Sequence, residues 1–198
     1  MTPWIRRAGV LLILLGLAGL FLTGAAAERA RAALEDELIR IHIVAASDSP
    51  EDQARKLLVR DRILTELSPL LADCGTAAEA QAVLLEALPD LAAAAEEVLR
   101  EAGCTDAVTA SLAVEAFPTR DYEGFSLPAG RYTALRLVIG DGGGHNWWCV
   151  AFPPLCLEAV SGGGELTAMG LSPDAAALMT GGYTLRFRCV ELAERLRS

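Results

Sequence analysis

Two imidazoles, five thiols and a few serines are the side chains here that could attack or activate a substrate. Cys149 is the candidate nucleophile, with His42 and His145 as the bases that could take its proton. It lies in the run Trp147-Trp148-Cys149-Val150-Ala151-Phe152, where a thiol is a small buried hydrophobe rather than a reactive thiolate. Ser47 and Ser49 stand near Asp48 and His42, but helix capping explains them and no G-x-S-x-G elbow occurs in the chain. His145, Cys149 and Cys156 lack the paired short spacings of a metal site, so neither a metal nor another cofactor is expected. The glycines at 140–144 and 162–164 read as turns, because a phosphate loop needs a helix N-terminus after it and Trp147-Trp148 follow the first cluster instead.

The elements that must position these groups follow from the hydrophobic period. Ile39, Ile41 and Ile43 alternate with Arg40 and His42 within 38–46, the pattern of a strand with one buried face. Ser49-Pro50-Glu51-Asp52 is a helix start, with a hydroxyl cap, proline in the first turn and acids at the positive end of the dipole. The helix from Pro50 to about Ala72 carries Ala54, Leu57, Leu58, Leu64, Leu67 and Leu71, and Asp61 falls inside that face. A carboxylate there needs a partner, and Arg40 on the neighbouring strand is the expected one, with His42 and Arg60 as alternatives. Helices are expected over 76–88 and 89–102, with Pro89 opening the second and Gly103 ending it.

Strands are expected over 108–116, 131–139 and 183–190, a loop between Phe117 and Gly130, a short helix capped by Ser172, and a closing helix over 191–198. An apparent strand through Trp147 and Trp148 puts one tryptophan in the core and the other outward. The fold class is therefore α+β, a single domain with a mostly antiparallel sheet covered by helices, preceded by an N-terminal signal or anchor segment.

Composition bounds the setting. Residues 1–27 have a basic start (Arg6, Arg7), an apolar run from Ala8 to Leu22 and an Ala25-Ala26-Ala27 end, the layout of an export signal cleaved after Ala27 or kept as an anchor. Residues 28–37 are charged and read as a solvated helical stalk, and 38–198 as the globular domain. Export of the first segment leaves 15 of the 17 basic side chains against all 26 acidic ones, a net −11. That balance disfavours nucleic acid as a partner and confines membrane contact to 1–27, should they stay attached. Five cysteines in an exported chain allow disulfides, and Cys149 and Cys156 are far enough apart in sequence to form one.

Four stretches together, IRIHIVAASDSPEDQARKLLVRD (39–61), FPTRDY (117–122), LPAGRYTALRLVIG (127–140) and NWWCVAFPPLC (146–156), resemble the stage II sporulation protein R family of endospore-forming bacteria. The sequence departs from the family pattern at Ala45-Ala46, where Ala-Asn is usual, and at Cys104, where an aromatic is common. The resemblance implies a signalling protein rather than an enzyme, exported into the space between forespore and mother-cell membranes. There it would trigger the membrane-embedded aspartic peptidase that processes the sigma-E precursor. The outward member of Trp147 and Trp148, with Asn146, is the expected partner contact, since tryptophan is enriched at binding hot spots. Two other readings stand beside it: a cell-envelope thiol hydrolase using Cys149 with His42 or His145, and an assembly protein of the engulfment septum.

Overall fold

A computed structural model of the protein describes residues 3–122, 124–155 and 163–180. The expected strand at 183–190, the closing helix at 191–198 and Cys156 lie outside them. Helix α1 (Pro3–Glu37) leads into strand β1 (Ile39–Val44), then helices α2 (Pro50–Leu71) and α3 (Ala77–Glu101). Strands β2 (Val108–Phe117), β3 (Arg120–Tyr122), β4 (Phe125–Leu127), β5 (Gly130–Ile139) and β6 (Asn146–Phe152) follow, then short helices α4 (Gly163–Ala168) and α5 (Pro173–Thr180). The main sheet has the order β2-β5-β1-β6, with β1 parallel to β5 and the two outer pairings antiparallel. This is the mixed, mostly antiparallel α+β arrangement the periodicity predicts. β3 and β4 form a hairpin where the sequence suggests only a loop, and α4 begins at Gly163, inside the expected second glycine turn.

Because successive side chains on a strand alternate sides, the sheet has two unlike faces. Ile39, Ile41 and Ile43 join Leu135, Leu137 and Ile139 under α2 and α3, forming the larger core. On the other face a second core gathers Tyr132, Ala134, Val150 and Phe117 beneath the β3–β4 hairpin, α4, α5 and the end of α1. Leu34 and Leu38 are fully buried there. Glu35 accepts the Arg131 N–H and Glu37 the Ser172 N–H. The stretch 28–37 is thus helical, but its last turn is core rather than solvated stalk. Upstream, Leu11, Leu12, Leu14, Leu15 and Leu17 are all exposed; among the described residues no helix is long and apolar enough to cross a membrane.

Two helices differ instructively from expectation. α2 buries Lys56, Val59, Ile63, Leu67 and Leu71, a stripe rotated from the one read in the sequence, so Leu57 and Leu58 face outward. α3 runs unbroken through Pro89. An interior proline costs a helix about 3 kcal/mol, but Leu84 on one side and Leu91, Ala95 and Leu99 on the other are buried against the same core, which holds both halves in line. Both helices have the caps their sequences specify: Ser49 accepts from the Asp52 N–H, and Thr76 with Glu79 forms a capping box.

The turn into β6 depends on glycine for space as much as for conformation. Gly142 has φ of 65°, and a Cβ on Gly144 would stand 2.2 Å from the Ser47 carbonyl oxygen. Gly143 and Gly144 donate N–H bonds to Ala46 and Ala45, clamping this turn to the end of β1. Gly144→Ala should therefore lower stability by about 1–3 kcal/mol, measured by urea unfolding; an unchanged midpoint would show that the clamp is soft.

Candidate functional site

The face opposite α2 and α3 holds an unusual density of cations and aromatic rings. Arg40, the second residue of β1, has no exposed surface. Its guanidinium carbon lies 4.2 Å from the Phe117 ring centroid, 5.3 Å from that of Tyr132 and 6.0 Å from that of Tyr122. Nη2 donates to the Tyr122 hydroxyl at 2.6 Å, while Nε and Nη1 have no hydrogen-bond partner among the described residues. Burial pushes the Arg40 pKa down, and the neighbouring Tyr122 and Tyr132 oppose that shift. Burial likewise raises the Tyr122 phenol, with Arg40 pulling it back. The register places Ala134 between Arg40 of β1 and Ala113 of β2. With only methyl groups in that row, the end of β2 can bring Phe117 over Arg40.

Beside this cage His42 meets Glu115, Nδ1 to Oε2 at 2.8 Å, and Arg136 approaches the other oxygen of Glu115 at 3.6 Å. The His42 ring stands 5.8 Å from Trp148 and 6.0 Å from Phe117. Its Nε2 is buried without a partner among the described residues. Arg120, on β3, lays its guanidinium 4.0 Å from the Trp148 ring centroid. Trp148, Arg120, Asn146, Asp48, His145, Gly143 and Gly144 line a cleft of about 300 Å³ at the head of β6.

The rim of that cleft is tied to α2. Asp48 accepts from the His145 backbone N–H at 2.6 Å and contacts Nδ1 of the same residue. Those bonds hold its carboxyl below the usual range. Lys56, buried at 6% exposure, donates to Gln53 Oε1 at 2.6 Å and to the His145 carbonyl at 3.0 Å. Loss of water lowers its pKa, with Asp48 opposing. Asp52 takes a hydrogen bond from Ser47 at 2.5 Å and pairs with Arg55 at 2.8 Å; these depress it too.

The structure redistributes the residues singled out by sequence. Trp147 and Trp148 do point to opposite faces: Trp147 packs on the larger core with Arg60 5.7 Å away, and Trp148 lines the cleft with the exposed Asn146. The expected buried pair of Asp61 and Arg40 does not exist. The rotation of α2 leaves Asp61 exposed and paired with Arg60 at 2.7 Å, while Arg40 points to the other side of the sheet, into its aromatic cage. The thiol-hydrolase constellation also fails. Cys149 is disulfide-bonded to a partner outside the described residues, where Cys156 also lies. Cys149 pairs with Ile41 and Trp148 with His42, so Cys149 and His42 face opposite sides of the sheet. His145 meets Asp48 instead. Among the described residues no cluster of three or more His, Cys, Asp or Glu side chains could hold a metal ion.

Arg120, Glu115, Phe117 and Tyr122 were not legible as site residues. The stretch Phe117-Pro118-Thr119-Arg120-Asp121-Tyr122 marks three of them only as a group, and Glu115 lies outside it.

Fold and site together describe a small α+β domain carrying an aromatic and cationic cleft, behind a long N-terminal helix with an apolar exposed half. Residues 35–161 match the model of the stage II sporulation protein R family, and the chain belongs to that family. It is 37% identical over 130 residues to the Stage II sporulation protein R of Bacillus subtilis (strain 168), covering 66% of this chain and 58% of the relative. The chain thus spans less than two thirds of that relative's length. No solved structure matches it. The matched span holds the whole main sheet, α2, α3 and the cleft.

Two measurements test the electrostatics. Tyr122→Phe removes the hydrogen bond to Arg40 and should cost about 1–3 kcal/mol in urea unfolding, whereas Arg40→Met, apolar and similar in length, should be neutral or stabilising by about 1–4 kcal/mol. Strong destabilisation by Arg40→Met would show that the cage needs the charge. Asp48 and Asp52 have folded pKa values below their unfolded ones, so their stabilisation is present above about pH 4 and lost as pH falls through the folded values. Thermal melts should show that acid loss shrink in Asp52→Asn; an unchanged acid limb would refute the assignment.

Proposed function

We propose that this chain is an exported sporulation signal, which binds the membrane-embedded aspartic peptidase that processes the sigma-E precursor and favours its active state. The observation that carries the reading is the family match over 35–161, which spans the main sheet, α2 and α3; membership supports a role in sporulation. Export to the space between forespore and mother cell is the route that the N-terminal segment supports. Leu11, Leu12, Leu14, Leu15 and Leu17 are exposed on α1 with no described part of the domain packed over them, and a basic end leads an uncharged run. A ligand role, rather than catalysis, fits a Cys149 that is bridged and a His42 turned away from it.

The mechanism is differential affinity. A ligand shifts a receptor only by binding its active state more tightly than its inactive one, and a swing from 1:99 to 99:1 takes about 5.5 kcal/mol of preference. A few anchors of about 2 kcal/mol each would supply it. Trp148, half-buried in the cleft beside Asn146, is the anchor the geometry favours, while Trp147 serves the core.

Co-expression of the chain with the peptidase and its precursor substrate should yield the processed product, read by immunoblot. Trp148→Ala, if it folds by circular dichroism, should cut the yield by about tenfold or more. Absence of product with the wild-type chain would sink the reading.

A further inference from the structure

We propose that the cleft at the head of β6 receives an acidic segment of a protein partner, with a carboxylate seated on Arg120 and the adjoining chain against Trp148. The inference rests on the reading of this face as the partner surface. Arg120 is exposed and stacked on Trp148 at 4.0 Å, and no carboxylate pairs with it among the described residues. A guanidinium lying over an aromatic ring keeps its fork of N–H donors at the edge, the geometry that takes a carboxylate in two parallel bonds.

Behind it, Arg40 is fully buried, also without a carboxylate, and two of its nitrogens lack partners among the described residues. The two guanidiniums are near enough that Arg120 disfavours the Arg40 charge. Nearby acids are already engaged: Glu115 by His42 and Arg136, Asp48 by His145, Asp121 by the Ser126 hydroxyl. The site therefore holds two guanidiniums that no described carboxylate pairs with, on a protein whose net charge is −9. An acidic partner is repelled by a net-negative protein and drawn to these guanidiniums, which sets orientation as well as affinity. Trp148 and Asn146 add an apolar plate and an amide, contacts suited to a peptide rather than to a bare anion.

The test is a titration of the full chain, 15N-labelled in detergent micelles, with a hexaglutamate peptide, following the tryptophan indole N–H resonances. The Trp148 signal should shift saturably and Trp147, across the sheet, should not. Arg120→Glu and Arg120→Gln should each raise the dissociation constant at least tenfold, Arg120→Lys less, and 0.5 M salt should weaken binding further. Hexaglutamine should leave Trp148 in place. Equal response to hexaglutamine, or a hexaglutamate response unaltered in both Arg120→Glu and Arg120→Gln, overturns the inference. Binding is read here without the peptidase, so the two ideas fail separately. Precursor processing without a hexaglutamate response removes the acidic-segment assignment alone; the reverse result removes the signalling reading alone.

Discussion

A single guanidinium charge buried in the middle of the sheet constrains one whole side of this domain. Moving an ion from water into a protein interior costs several kcal/mol even after relaxation, and Arg40 meets that cost without a carboxylate among the described residues. Three aromatic rings and one phenol oxygen are its compensation. Cation–π contacts contribute about 2 kcal/mol or more when desolvated, so Phe117, Tyr122 and Tyr132 are a solvation shell as well as a hydrophobic core. This accounts for the β3–β4 hairpin lying where it does: Tyr122 brings the hydroxyl, stacks on Phe125 at 4.9 Å, and so fixes Arg120 next to Trp148.

The opposite face follows simpler rules. Apolar strands pack beneath two capped helices, and the interior proline of α3 is carried by burial on both sides of it. This half needs no polar compensation apart from Lys56, whose ammonium is satisfied by Gln53 and the His145 carbonyl. That contact is the point at which the plain half touches the polar one. It anchors the loop before β6 to α2, and the same loop supplies His145, Gly143 and Gly144 to the cleft.

The sequence made the first half largely legible and the second hardly at all. Alternation at Ile39, Ile41 and Ile43 identified β1 and its buried side, and Ser49-Pro50 located the start of α2. Alternation says nothing of a second covering layer, however, so nothing local marks Arg40 as the most enclosed charge among the described residues, held among aromatic rings rather than by Asp61. The α2 stripe was misread because seven leucines and isoleucines populate two sides of one helix, and only tertiary contact decides which side is inward. Assigning Asp61 to Arg40 followed from that error. Glu115 and Arg120 were invisible because their roles arise from β2 and the hairpin folding over β1, a long-range arrangement that no local pattern encodes.

The entry of α1 into the core has a mechanical corollary. Its last turn is gripped by Leu34, Leu38 and the two carboxylates of Glu35 and Glu37, with no flexible joint between helix and domain. A helix rises about 1.5 Å per residue, so the ten residues from Glu28 to Glu37 act as a strut of about 15 Å rather than a tether. A domain held at a bilayer by such a strut would stand at a set height and heading. The search for a membrane-bound partner would then become a two-dimensional one between pre-aimed surfaces.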